Sequence, residues 1–117
     1  MFIRTKDNRI LKVLDEADKT FYIDVSYDIG FRLWVKGKND IIKQADTIED
    51  LIQEGDLVKY EDRTRSYPYP AYFAEIADGF NPHGISIYRV AELYIKQPNG
   101  DYKLVARDKG RCKLELI

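Results

Sequence analysis

Cysteine and histidine are almost missing from this chain of 117 residues: Cys112 and His83 are single occurrences. One cysteine excludes an intrachain disulfide, and one of each leaves a Cys/His zinc site within a single chain without enough ligands. An excess of one charge sign is missing as well. Nineteen Lys plus Arg face twenty Asp plus Glu, a formal net charge of −1, which argues against broad nucleic-acid binding and against a strongly acidic DNA mimic. Long apolar runs are lacking too. The uncharged run from Ser66 to Ala74 carries two prolines and falls far short of the roughly 20 apolar residues of a membrane helix. The N-terminal MFIRTKDNRILK is charged within four residues and shows no apolar core or small-residue cleavage site, so export is not expected. A soluble cytoplasmic protein with Cys112 as a reduced, small core residue is the expectation.

What is present is a hydrophobic share of 44% beside 33% charged residues, the composition of one globular domain spanning 1–117. Glycine and proline punctuate patterned segments, and no repeat is visible. Phe2 to Lys6 and Arg9 to Leu14 predict strands around an Asp7-Asn8 turn. From Thr20 to Val25, Phe21, Ile23 and Val25 share one face while Tyr22 and Asp24 take the other. Phe31, Leu33 and Val35 alternate in the same way against Arg32, Trp34 and Lys36. Ile48, Leu51 and Ile52 recur at helical spacing behind Asp46-Thr47, predicting a short capped helix from Thr47 to Glu54 that Gly55 stops. Asp56 to Glu61 returns to strand character. Asn99-Gly100 predicts a type I′ hairpin turn, which pairs Ile95 with Leu104, Leu93 with Ala106, Glu92 with Arg107 and Lys96 with Lys103. Cys112, Leu114 and Leu116 alternate as a last strand. The fold class is therefore mainly β (α+β): a small antiparallel sheet or an SH3-like partly open barrel, with seven or eight strands and one short helix.

Catalytic signals are sparse. Ser86 lies three residues after His83, but no nucleophile elbow surrounds it and NPHG reads as a turn. Acids are scattered among bases, and neither a P-loop nor a dinucleotide fingerprint is present. No cofactor and no metal are expected. The distinctive segment is Tyr60 to Phe80, which breaks the strand pattern with Arg63, Arg65, Tyr67, Tyr69, Tyr72 and Phe73. Its Tyr-Pro steps favour stiff, extended backbone. Rings stack on bases and Arg forks bind phosphate, while Tyr and Arg also anchor protein interfaces. The plainer alternative is that the tyrosines cover a sheet face and the arginines pair with Glu61 and Asp62. Trp34, between Arg32 and Lys36 on an apparently polar face, joins the candidate ligand-binding set, with partial burial in a barrel as its plainer explanation.

IIKQADTIEDLIQEGDLVKYE, residues 41 to 61, resembles a segment of small, largely uncharacterised phage and prophage accessory proteins of Gram-positive bacteria. The likeness rests on Asp46 to Ile52 and on Gly55 to Val58. The NGDY turn and KLELI ending, within residues 98 to 117, are similar to that group as well. Both motifs are structural, so no catalytic residue carries over. The resemblance implies a bacterial host cytoplasm and a role in blocking host machinery, as inhibitors of nucleases or as sponges for nucleotide signals do. The resulting expectation is a non-catalytic binding protein that counters a host defence system by binding a host protein or a small nucleotide. Assembly into a homo-oligomer goes with that expectation. The alternatives are a small hydrolase using His83 and nearby acids, or a purely structural oligomerisation module.

Overall fold

The computed structural model describes residues 1–24, 33–62, 72–77, 88–111 and 113–117. These residues form β1 (Phe2–Thr5), β2 (Ile10–Glu16), β3 (Thr20–Asp24), β4 (Leu33–Gly37) and β5 (Ile41–Ala45), then β6 (Leu57–Asp62), β7 (Tyr72–Glu75), β8 (Tyr88–Lys96), β9 (Tyr102–Asp108) and β10 (Leu114–Leu116). Single 3-10 turns occupy Lys38–Asp40 and Glu49–Leu51. The fold is mainly β, in two antiparallel sheets. Contacts group the chain into two compact units, Met1–Thr47 and Ile48–Ile117. Among the described residues no helix is long and apolar enough to cross a membrane.

In Met1–Thr47 the strand order is β4-β3-β2-β1-β5. A meander of four strands is completed by β5, which follows a 3-10 turn and returns to pair with β1. Because no ladder joins β4 to β5 among the described residues, the sheet is open. Ile3, Leu11, Val13, Phe21 and Ile23 form its core, with Ile41 packed against them. Two bulges break the alternation. Leu14 is the extra residue of β2 opposite β3, and Ile42 the extra residue of β5 opposite β1; a bulged residue falls out of step with its neighbours, and these two apolar side chains are half exposed, at 50% and 49%. The expected Asp7-Asn8 turn is present. The Asn8 N–H donates to the Thr5 carbonyl at 2.9 Å, the Thr5 N–H to the Arg9 carbonyl at 2.9 Å, and Asn8 takes φ 61°. Asparagine tolerates this left-handed conformation better than most residues do.

In Ile48–Ile117 the order is β10-β9-β8-β6-β7. Val58, Leu93, Ile95 and Ala106 are buried from the sheet, and Ile48 and Leu51 from the preceding turn. The expected helix from Thr47 to Glu54 is instead one 3-10 turn. Leu51 and Ile52 donate to carbonyls three residues back, and Ile52 already has extended angles, φ −66° and ψ 134°. The apolar triplet is buried as its spacing predicts, but eight residues do not nucleate an α-helix unaided. Beyond Ile52, the Asp56 carboxylate accepts the Gln53 N–H at 2.9 Å, and the Gly55 N–H donates to the Ile76 carbonyl at 3.0 Å. These bonds draw the chain into a turn, in which Gly55 takes φ 93°.

The C-terminal hairpin also corrects the sequence reading. The Gly100 N–H donates to the Gln97 carbonyl and the Gln97 N–H to the Asp101 carbonyl. The loop therefore has three residues, Pro98 to Gly100, with only Gly100 at positive φ. A type I′ turn needs positive φ at both central positions; Pro98 has its φ preset for a type I turn instead. Pairing near the turn is accordingly Tyr94 with Leu104, Ile95 with Lys103 and Lys96 with Tyr102. A bulge beyond Tyr94 then restores Leu93 to Ala106 and Glu92 to Arg107. The expected facing of Lys96 and Lys103 does not occur.

Candidate functional site

The four central members of the expected binding set, Arg63, Arg65, Tyr67 and Tyr69, lie outside the described residues, as do His83, Ser86 and Cys112. Within the segment from Tyr60 to Phe80, Tyr72–Glu75 is a strand rather than a loop. Tyr72 and Phe73 belong to β7, where Tyr72 pairs with Tyr60 and Phe73 with Lys59. Trp34 lies in β4 opposite Ile23. Trp34 and Phe73 therefore fall in different units.

What the structure does assemble is a face of the second sheet. Register places Phe73, Lys59, Glu92 and Arg107 in one row across β7, β6, β8 and β9, and directly opposed residues in antiparallel pairs share a face. Phe73 is 56% exposed, and its ring meets the edge of Tyr94 at a centroid distance of 5.9 Å and an interplanar angle of 60°. Beside these rings lies a groove of about 290 Å³ lined by Lys59, Glu61, Arg89, Glu92, Arg107 and Asp108, among others. Its charges are largely matched. Lys59 Nζ lies 3.7 Å from Glu92 and 4.0 Å from Glu61, while Arg89 forms an ion pair with the nearly buried Asp108 carboxylate. Arg107 is exposed on the rim. The groove is thus close to neutral, with one projecting guanidinium.

Tyr94 ties the aromatic and charged halves together. Its hydroxyl donates to Glu92 Oε1 at 3.1 Å. Burial, then this hydrogen bond and the nearby carboxylate charge, raise the phenol's pKa above its ordinary 10.0. A raised folded-state value means that the folded protein holds the proton more tightly than the unfolded chain does. The stabilisation is whole below pH 10.0 and is lost as pH rises through the folded value. Urea unfolding across alkaline pH should therefore show a falling limb that Tyr94→Phe flattens; an equally steep limb in the variant would deny the phenol that role.

Phe73 stands in an aromatic segment that the sequence itself marks, whereas nothing in the local sequence marks Lys59, Arg89, Glu92, Tyr94 or Arg107 as a group. The signal was present in the expected pairing of Glu92 with Arg107, but the neighbour on the other side, β6, follows only from the long-range order β9-β8-β6. Among the described residues no group of three His, Cys, Asp or Glu side chains is placed to hold a metal ion. Comparison with protein-family models, with curated proteins and with solved structures finds no match of this chain to any of them.

Proposed function

We propose that the chain is a non-catalytic accessory binding protein of phage type, which counters a host system by engaging a host protein through the face built on β7, β6, β8 and β9. The observation that carries this reading is Phe73: a large ring more than half exposed on a strand, in edge contact with Tyr94 and bordered by paired charges. An aromatic anchor inside a polar rim is the anatomy of an interface hot spot. The choice of a protein over a nucleotide follows from the groove. Glu61 and Glu92 flank Lys59, so a phosphate entering there would meet carboxylates as well as cations. A protein partner needs only complementary charges at that rim.

Removing the anchor is expected to weaken the partner by about 2 kcal/mol, or roughly thirty-fold in affinity. The test captures partners from host lysate on the wild type, Phe73→Ala and the double variant Tyr67→Ala/Tyr69→Ala, and then measures affinity for the captured protein. Loss of binding by Phe73→Ala at unchanged thermal stability supports the reading, and unchanged affinity removes this face from the site. Native mass spectrometry after incubation with a small-molecule extract supplies the contrary result: a bound mass of nucleotide size would favour the sponge.

A further inference from the structure

The corner between β9 and β10 carries four cations at alternate positions, Arg107, Lys109, Arg111 and Lys113, and all four are exposed. The acid among them is withdrawn from solvent. Asp108 is 5% exposed in its side chain and forms an ion pair with Arg89. Its Oδ1 also accepts the N–H groups of Gly110 at 2.8 Å and Arg111 at 3.0 Å. These bonds close the turn, which Gly110 permits by taking φ 97°. Glu115, 27% exposed in its side chain, lies 3.9 Å from Arg111 and stands opposite Arg107 in the β9–β10 ladder, so it offsets part of the charge of both; the 72% exposure of Arg111 keeps that pair weak. Lys109 donates to the Leu116 carbonyl at 3.0 Å, which orients its ammonium without cancelling the charge. The chain is near neutral overall, yet this corner sets four exposed cations against two partly or largely buried carboxylates, Asp108 and Glu115, and so keeps an excess of positive charge at its surface.

We infer that this corner is a contact surface for the phosphodiester backbone of single-stranded nucleic acid. Spaced cations bind a polyanion by releasing its counterions, whatever its sequence. Single strands are favoured because the exposed ring of Phe73 lies in the row of Arg107, three strand spacings or about 14 Å away, where an unpaired base can stack while the phosphates keep to the corner and not to the Lys59–Glu92 stretch between. An anionic membrane is the poorer match, since the exposed side chains of residues 107–111 and 113 include no apolar group to enter a bilayer. The inference goes beyond the protein-binding reading and shares with it only the exposed ring of Phe73; the four cations of the corner stand apart from that reading's anchor.

Fluorescence anisotropy with labelled oligothymidylate, titrated with salt from about 50 mM upward, tests it. The wild type should bind with a log–log salt slope of about −3, four contacts at roughly −0.7 each. Arg107→Gln/Lys113→Gln removes two cations with no bonds across the turn, and should weaken binding about tenfold while lowering the slope by about 1.4. A control, Lys6→Gln/Lys12→Gln/Lys43→Gln, loses more charge from exposed positions of the other unit and should leave the slope unchanged. Absence of binding at low salt overturns the assignment, as does an equal loss in the control. Binding to phosphatidylserine vesicles but not to the oligonucleotide overturns it in favour of a membrane surface.

Discussion

Phe21→Ala is expected to lower stability by about 3–5 kcal/mol, the range for deleting a buried aromatic ring. Phe21 is 1% exposed and lies in the five-residue core of the Met1–Thr47 unit. Its neighbours Ile3 and Ile23 are fully buried, so they cannot collapse into the void without leaving their strand pairings. The ring also lies under Lys38 Nζ, 5.1 Å from its centroid, and Lys38 bridges to Glu16 at 2.8 Å. Losing the ring therefore releases a cation that helps to hold the end of β2. Against a typical total of 5–15 kcal/mol, this loss decides whether the unit is folded. Trp34 is the only tryptophan and belongs to this unit, so urea unfolding followed by its fluorescence reports the effect directly. A midpoint within about 1 kcal/mol of the wild type would contradict the packing described. Phe21→Leu, which keeps most of the volume, should lose much less.

The ring of Phe21 was legible in the sequence because a strand with one buried face writes its burial as strict alternation. Thr20 to Ile23 obeys that pattern, with Phe21 and Ile23 buried and Thr20 and Tyr22 only partly covered. The pattern fails wherever a bulge intervenes. Leu14, Ile42 and the shift between Leu93 and Tyr94 each add one residue to a ladder, and nothing in the local composition marks the extra position. The triplet Ile48, Leu51 and Ile52 illustrates a different limit. Burial of these three is compatible with a helix or with a tight turn that runs into extended chain, and the choice was made by Asp56 and Ile76, residues outside the window.

The candidate site was legible only in part for a related reason. Aromatic density pointed to the segment that contains Phe73, but the partners of Phe73 come from β6 and β8. The crossing that sets β6 between β7 and β8 is a tertiary choice. The basic corner was hidden by arithmetic: a net charge of −1 averages over acids spread along the chain. What isolates the corner is the burial of Asp108, and burial cannot be counted from composition.

Asp108→Ala is accordingly expected to lower the stability of the second unit by about 3 kcal/mol. Its carboxylate satisfies two backbone N–H groups and balances Arg89, whose side chain is 22% exposed. Deleting one partner of a largely buried ion pair leaves the other charge uncompensated, which costs about 3–5 kcal/mol; the partial exposure of Arg89 puts the expectation at the low end. Asp108→Asn separates the two roles, because an amide oxygen still accepts the N–H groups of Gly110 and Arg111 but carries no charge for Arg89. Its loss should be smaller, and the difference between the two variants isolates the turn-closing bonds from the ion pair. Arg89→Met tests the same pair from the other side: it empties the charge while keeping an apolar stem, and in combination with Asp108→Asn the two losses should fall well short of additive. Hydrogen exchange at Gly110 and Arg111 provides the local readout. Faster exchange in Asp108→Ala, with near-native protection in Asp108→Asn, is the expected result. Equal protection in all three proteins would mean that the corner is closed without the carboxylate, and the fixed spacing of its four cations would then need another source.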